Sequence, residues 1–122
     1  MTTDVLPSTR AKTIVLWTLQ ALAAAMFLMA GTLKLAGAPP MVQLFAAVGI
    51  GQWFRYVTGT IEVVSAVSLL VPPLAVFAAL ALAATMIGAV FTHLFIVGGN
   101  PAIPLVLLIV TVTIAWMRRS AR

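Results

Sequence analysis

Four apolar runs, separated by short segments rich in proline, glycine or polar residues, set the pattern of this chain. They cover residues 13–35, 53–71, 74–97 and 102–117. A helix needs about 20 residues to cross the hydrocarbon core of a bilayer, so each run is long enough, or nearly so, for one crossing. The pattern predicts an all-α integral membrane four-helix bundle over residues 13–117, with polar tails at residues 1–12 and 118–122.

The longest connection, Gly37–Gln52, opens with a helix-stopping sequence, Gly37-Ala38-Pro39-Pro40. Met41–Val48 is mostly apolar but too short to cross a bilayer. It predicts a short interfacial or re-entrant segment between helices 1 and 2. The other two connections, Pro72-Pro73 and Gly98–Pro101, are typical of tight turns.

The first apolar run has an alternative interpretation as a signal peptide, because Ala36-Gly37-Ala38 resembles a cleavage site. Signal peptides have an apolar core of about 7–15 residues, and the run Thr13–Leu33 is longer than that. Lys34 and Pro39 also fit poorly around such a site. We therefore expect a helix that is retained.

Composition narrows the class of protein and the chemistry. Hydrophobic residues make up 63% of the chain and charged residues 7%, whereas about a quarter of a soluble domain is charged. The absence of cysteine excludes disulfides and thiolate metal sites. One histidine and two acids argue against a protein-held metal. We predict no catalytic residue, no metal and no intrinsic cofactor, and a stand-alone enzyme is the least favoured class.

The net charge of +5 does not indicate nucleic-acid binding, because most of the basic residues lie in the two tails. Basic residues favour the cytoplasmic side of a membrane, and an even number of spans places both termini on one side. The sequence therefore predicts a multi-pass protein with both termini in the cytoplasm. Lys34 and Arg55 would then lie on the outer side, against this bias, which suggests that they have a role.

Glu62 is the residue on which the functional hypothesis depends. It lies nine residues after Trp53, about 13 Å along the second predicted helix. A charged side chain at the centre of a transmembrane helix costs about 2.5–3.5 kcal/mol on insertion scales. It needs a partner, a proton or a polar pocket.

Small and polar residues recur at helical spacing on three of the predicted helices, and we expect these stripes to face the bundle interior. They are Gln20, Ala23, Ala24, Phe27, Gly31 and Lys34 on the first; Arg55, Thr58, Gly59, Glu62 and Ser65 on the second; and Thr85, Gly88, Ala89 and Thr92 on the third, with His93 at its edge.

Together these positions predict a small polar pocket that opens outward and holds a flat or amphipathic molecule. Glu62 would form its floor, and the other candidate residues are Lys34, Arg55, Thr58, Thr92 and His93. Simpler roles remain open for each. Glu62 would pair with Lys34 or Arg55 only to lock two helices, the two cations would reach lipid phosphates, and His93 would cap a helix end.

The chain resembles DoxX-like membrane proteins in several short motifs. They are Gly31-x-x-Lys34-Leu35, Gly49-Ile50-Gly51, Arg55-Tyr56-x-x-Gly59-x-x-Glu62, Leu69-Leu70-x-Pro72 and Met86-x-Gly88-Ala89-x-x-Thr92-His93. The resemblance covers residues 14–116 and implies a four-helix bundle in the bacterial inner membrane. It also implies association with quinone-linked oxidoreductases or with complexes that respond to oxidative stress.

Three functions are compatible with this sequence. The first is an accessory subunit that binds a quinone or similar lipophile and serves a redox or stress-response partner protein. The second is a non-enzymatic scaffold or assembly factor, suggested by the sparse chemistry and the basic C-terminal tail. The third is a minimal proton-coupled transporter using Glu62, for which four short helices leave little room unless a homo-oligomer forms.

Overall fold

A computed structural model describes residues 2–121 of the chain, with side chains described for residues 9–119. Within this part the chain forms α-helices throughout, joined by short turns: α1 (Thr2–Ala36), α2 (Pro39–Val48), α3 (Trp53–Leu69), α4 (Ala75–Thr92) and α5 (Ala102–Ala121). A 3₁₀ turn, Pro72–Leu74, leads into α4, and a π-helical turn, His93–Val97, continues it. The predicted all-α bundle is confirmed.

The four long helices form a closed ring in the order α1, α3, α4, α5. The α1–α3 and α4–α5 interfaces are the most extensive, and α3–α4 and α1–α5 contacts complete the ring. Gln20 meets Leu69, and Gly31 meets Gly59, so α1 and α3 are antiparallel. The turn between α3 and α4 therefore lies at the same end as the chain termini, which we call the termini end. The opposite end, which carries α2 and the Gly98–Pro101 turn, is the loop end.

Three helical stretches of the described residues are long and apolar enough to cross a membrane. They are Thr9–Ala36, Pro72–Val97 and Ala102–Arg119. The helix α3 has 17 residues and is about 25 Å long, slightly less than a hydrocarbon core of about 30 Å. It lies between α1 and α4 as the fourth member of the bundle. The chain is a multi-pass membrane protein.

The helices α1 and α5 both extend into the polar tails. The helix α1 begins at Thr2, whereas the apolar pattern begins near Thr13, and α5 runs to Ala121. Lysine and arginine are good helix formers, so nothing at Arg10, Lys12, Arg118 or Arg119 stops the helices. With 35 residues α1 is about 50 Å long, and its first turns extend beyond the hydrocarbon core.

The predicted short segment between the first two spans is α2. It starts with Pro39 and Pro40, which are tolerated in a first turn, and ends at Gly49, whose φ of 90° lies in the left-handed region that favours glycine. Its ten residues are too few to cross a bilayer. It packs against α1, α3 and the π-helical turn, so it closes the loop end of the bundle.

The sequence identified the buried faces of α1 and α3 correctly. Gln20, Phe27 and Glu62 are at most 1% exposed, and Arg55 and Ser65 are also buried. Apart from Thr111, the rest of the buried interior is apolar and rich in alanine, with four large apolar side chains that are fully buried: Phe27, Leu69, Leu82 and Ile114.

The predicted buried face of α4 was wrong in part, since Ala89 packs against the core but Gly88 does not. Gly88 is exposed, and a Cβ added to it would meet nothing within 4 Å. Thr85 and Thr92 donate to carbonyls of their own helix, at Ala81 and Gly88, and so need no partner on another helix. The face that packs is formed instead by alanines and two larger side chains: Ala75, Ala78, Ala79, Leu82, Ala83 and Met86. The polar residues indicated the wrong face of α4, because this helix packs mainly through small apolar residues.

Candidate functional site

An ion pair joins α1 to α3 inside the bundle, toward the loop end. Lys34 Nζ lies 2.7 Å from Glu62 Oε1, and the two side chains are 13% and 1% exposed. Lys34 is in the last turn of α1, and Glu62 is in the middle of α3. Because the lysine stem is long, its ammonium reaches back toward the bundle centre, where the carboxylate lies.

Two glycines allow the helices to approach closely enough for this pair. A Cβ on Gly31 would lie 2.8 Å from the carbonyl oxygen of Gly59, and one on Gly59 would lie 3.0 Å from the carbonyl oxygen of Gly31. No ordinary side chain fits at that separation. Such close helix crossings are typical of small residues in membrane proteins. Gly31 is three residues from Lys34 and Gly59 is three from Glu62, so the crossing and the ion pair form one unit.

Arg55 is buried beside the ion pair and does not reach toward lipid phosphates. Its exposed fraction is 5%. It donates through Nη1 to the backbone carbonyl of Lys34 and through Nε to Gln52 Oε1, at 2.7 Å in the second case. Its guanidinium also lies 4.4 Å from the centre of the Tyr56 ring. The Lys34 carbonyl is one of the last four of α1, which have no partner within the helix, so Arg55 caps α1.

Gln52 is a member of this site that the sequence did not single out. Besides accepting from Arg55, it donates through Nε2 to the carbonyl of Val42 in α2, at 3.0 Å. Phe45 of α2 also packs edge-on against Phe54, with ring centres 5.8 Å apart. These contacts attach the short helix to the start of α3. The sequence feature that could have indicated this role is the position of Gln52, a polar residue directly before the aromatic cluster at the start of α3.

The other three predicted site residues do not join Glu62. His93 lies in the π-helical turn, where its Nδ1 is 3.2 Å from the carbonyl oxygen of Gly98. Thr58 donates to the carbonyl of Phe54, and Thr92 to that of Gly88, each at 2.8 Å. Among residues 9–119, none of the three forms a hydrogen bond or ion pair with Glu62, Lys34 or Arg55.

A second polar cluster lies at the termini end and was not recognised as a unit. The Gln20 side chain is fully buried and donates through Nε2 to the carbonyl of Leu69, at 2.6 Å. Arg118 Nε donates to Gln20 Oε1 at 2.7 Å. The Arg118 guanidinium lies 4.8 Å from the centre of the Trp17 ring. This cluster ties α1 to the end of α3 and to α5.

The chemistry available at the loop end is hydrogen bonding and charge. The Glu62 carboxylate is buried, and apart from the contact with Lys34 its Oε1 has no hydrogen-bond partner among the described residues. The same part of the chain contains no group of three or more His, Cys, Asp or Glu side chains that could hold a metal ion. The site offers acceptors at Glu62 and N–H donors at Lys34.

Comparison with known proteins identifies the family. The model of the DoxX-like family matches residues 18–116, which include both polar clusters apart from Trp17 and Arg118. No curated protein matches the chain, and no solved structure matches it. The match covers most of the chain, including the motifs around Lys34, Arg55 and Glu62. The chain belongs to the DoxX-like family.

Proposed function

We propose that this protein is an accessory subunit of a redox or stress-response membrane complex and that it binds a quinone or a similar lipophile beside Glu62. The observation that carries the proposal is the buried Glu62 carboxylate, whose one ionic contact among the described residues is the Lys34 ammonium, 2.7 Å from Oε1. A carboxylate has about four acceptor sites, so a ligand that donates hydrogen bonds can use those that Lys34 leaves open.

The donors and acceptors at this site fit the polar end of a quinone. Carbonyl oxygens need N–H donors, and a lysine ammonium has three, of which Glu62 engages one. The hydroxyl of a quinol would donate to Glu62. Aromatic side chains lie toward the loop end of the site, since Phe45 packs on Phe54 and the Arg55 guanidinium stacks on Tyr56 at the start of α3. A bound quinone would supply the electron-carrying group, while Lys34 and Glu62 would hold its oxygens and α2 would cover it.

A scaffold or assembly factor is the second candidate, and a different observation favours it. Lys34 and Glu62 neutralise each other, and Arg55 caps α1, so all three side chains have structural tasks. On this interpretation the site holds the bundle in shape and a partner protein binds elsewhere. The two candidates differ in whether a lipophile occupies the site.

The double variant Lys34→Met/Glu62→Leu separates the two candidates. Replacing both partners of a buried ion pair by apolar residues of similar size is often neutral or stabilising, so this variant should fold. We expect the wild-type protein, purified in mild detergent, to retain a quinone or related lipophile by mass spectrometry of extracts. The double variant should retain less than about a tenth as much, with unchanged thermal stability.

The matched control is Thr58→Val, which alters a predicted site residue whose hydroxyl donates to the Phe54 carbonyl of its own helix. It should retain the lipophile as the wild type does. Extracts of the wild type without any lipophile, or equal amounts in the wild type and the double variant, would refute ligand binding. In that event a partner protein recovered equally well with both would support the scaffold.

We further propose that the protein lies in the bacterial inner membrane with both termini in the cytoplasm. The basic residues at the termini end, Arg10, Lys12, Arg118 and Arg119, support this orientation. The chain contains no cysteine, so single cysteines can report on sidedness. A membrane-impermeant maleimide added to intact spheroplasts should label Asn100→Cys at the loop end and spare Ala11→Cys. Labelling of Ala11→Cys alone would reverse the orientation.

A further inference from the structure

The Lys34–Glu62 pair is closed off from its surroundings. The two side chains are 13% and 1% exposed, and Arg55 beside them is also buried. A ligand that reaches Glu62 must therefore displace some part of the bundle. The helices α1 and α3 do not separate easily, because they cross in close contact at Gly31 and Gly59. The opening must lie elsewhere, and the loop end carries a separate short helix, α2.

The helix α2 is joined to the bundle through a glycine at each end. Gly37 links it to α1 with a φ of 75°, and Gly49 ends it with a φ of 90°. Both values lie in the left-handed region, which glycine enters and leaves without the steric cost that other residues meet. The first two residues of α2 are prolines, whose φ is fixed. The helix can therefore turn as a rigid unit between two flexible points.

Few contacts hold α2 in its place. Of its ten residues only Phe45 is buried, and the Phe45 ring packs edge-on against Phe54 with ring centres 5.8 Å apart. A side-chain hydrogen bond comes from Gln52 Nε2, which donates to the Val42 carbonyl at 3.0 Å. The remaining packing is against the end of α1 and the π-helical turn. Segments with few buried contacts open locally at a low cost in free energy.

Gln52 connects α2 to the ion pair through a continuous series of contacts. While its Nε2 bonds to α2, its Oε1 accepts from Arg55 Nε at 2.7 Å. Arg55 in turn donates to the backbone carbonyl of Lys34, whose ammonium pairs with Glu62. A Cβ on the hinge residue Gly37 would lie 3.5 Å from Arg55 Nη1. The hinge, the Gln52 amide and the pair therefore belong to one contact network, which α2 covers at the loop end.

We propose that α2 is a hinged lid over the Lys34–Glu62 site and that the Gln52 side chain is its latch. When the bond from Gln52 to the Val42 carbonyl breaks, α2 turns about its two hinge glycines and opens the site toward the loop-end surface. What the opening admits rests on the function proposed above: an amphipathic molecule at the headgroup level of that leaflet, whose polar group meets Lys34 and Glu62. The movement of the lid is a property of the fold and is measured without a ligand.

The reactivity of Lys34 toward an amine-specific reagent measures the opening. The chain has two lysines, and Lys12 is exposed on the same helix, so it serves as the internal reference. The purified full-length protein is treated with a water-soluble acetylating ester, and peptide mass spectrometry follows both lysines. Gln52→Glu still accepts from Arg55 but cannot donate to Val42, so Lys34 should be acetylated about fivefold faster, as for the loss of one hydrogen bond. Lys12 should react at its wild-type rate.

Gln43→Glu is the matched control, because it makes the same chemical change at an exposed position of α2. It should leave the acetylation rate of Lys34 unchanged. A second variant locks the lid: Val42→Cys/Gln52→Cys, joined by a short bis-methanethiosulfonate cross-linker in a chain that has no other cysteine. Lys34 should then react about tenfold more slowly than in the same variant after reduction, because local opening is blocked.

Two results would overturn the lid. Equal acetylation of Lys34 in the wild type, in Gln52→Glu and in the cross-linked protein would show that the site opens elsewhere. Equal acceleration by Gln43→Glu and Gln52→Glu would show a general loosening of α2 without a latch.

Decylubiquinone tests separately what the lid admits. Its binding should be faster in Gln52→Glu and slower in the cross-linked protein, each in parallel with the acetylation of Lys34. If Lys34 responds as expected and decylubiquinone binds to no variant, the lid is confirmed and the proposed quinone is refuted. If decylubiquinone binds at one rate to all variants, it reaches the site without passing the lid, and the inference fails while the proposed function stands.

Discussion

Lys34→Met should destabilise the protein by about 3 kcal/mol, whereas Lys34→Met combined with Glu62→Leu should be close to the wild type in stability. Removal of one partner leaves the other as an unpaired charge, and the usual cost for a buried pair is about 3–5 kcal/mol. Glu62 is 1% exposed, and in the described residues its ionic contact is with Lys34. Its carboxylate therefore cannot turn to water when the lysine is lost.

The measurement is unfolding by sodium dodecyl sulfate in mixed micelles, followed by far-ultraviolet circular dichroism. Glu62→Gln should cost less than Lys34→Met, because the lysine that it leaves unpaired is 13% exposed and has a long flexible stem. Lys12→Met serves as the control, since Lys12 is exposed on the same helix and its loss should change stability by less than about 0.5 kcal/mol. A cost for Lys34→Met as small as that of Lys12→Met would show that the pair does not hold the helices together.

Gly31→Ala should destabilise the bundle by about 2–3 kcal/mol, the upper part of the range for overpacking in a close-packed interior. The new methyl group would lie 2.8 Å from the carbonyl oxygen of Gly59 and 2.7 Å from Val63 Cγ2. The carbonyl belongs to the backbone of α3 and cannot move aside as a side chain can. The helices must separate, and Lys34 then moves away from Glu62.

Gly88→Ala is the matched control for this substitution. It makes the same chemical change in the interior of a long helix, but its Cβ would meet nothing within 4 Å. Alanine has the higher helix propensity, so this variant should be as stable as the wild type or more stable by up to about 1 kcal/mol. The same detergent unfolding experiment measures both. Similar losses in the two variants would mean that the glycine crossing is not the critical contact.

The pattern of the sequence was sufficient to predict most of the fold. Apolar runs bounded by proline and glycine located the long helices and the short helix α2. They did not show that α1 starts at Thr2, because the apolar pattern reports where a helix meets lipid or core and not where its hydrogen bonds end. The buried faces of α1 and α3 could be predicted because each carries a charged residue within an apolar run. On α4 the polar residues are threonines that donate hydrogen bonds to their own helix, so their positions do not indicate which face of α4 is buried.

The candidate site was predictable only in part, for a related reason. Spacing along α3 placed Arg55 and Glu62 on one face, and the antiparallel hairpin brought Lys34 to them. Spacing cannot reveal which donor meets a backbone carbonyl, so the capping role of Arg55 and the link through Gln52 were not predicted. Gln20 and Arg118 are 98 residues apart and meet only because α1 and α5 close the ring. His93 lies at the expected end, but its turn directs it to Gly98.

The polar contacts are distributed unevenly over the bundle. Polar contacts stabilise the interface of α1 with α3 at both ends: Gln20 at one end, and Lys34, Arg55 and the glycine crossing at the other. In contrast, α4 and α5 pack against each other through apolar side chains. The molecule is thus built as two hairpin-like halves of unequal stiffness. Sliding of the α4–α5 half along the α1–α3 half, as packed helices do in shear motions, would have to break the hydrogen bond between Gln20 and Arg118 that joins α1 to α5.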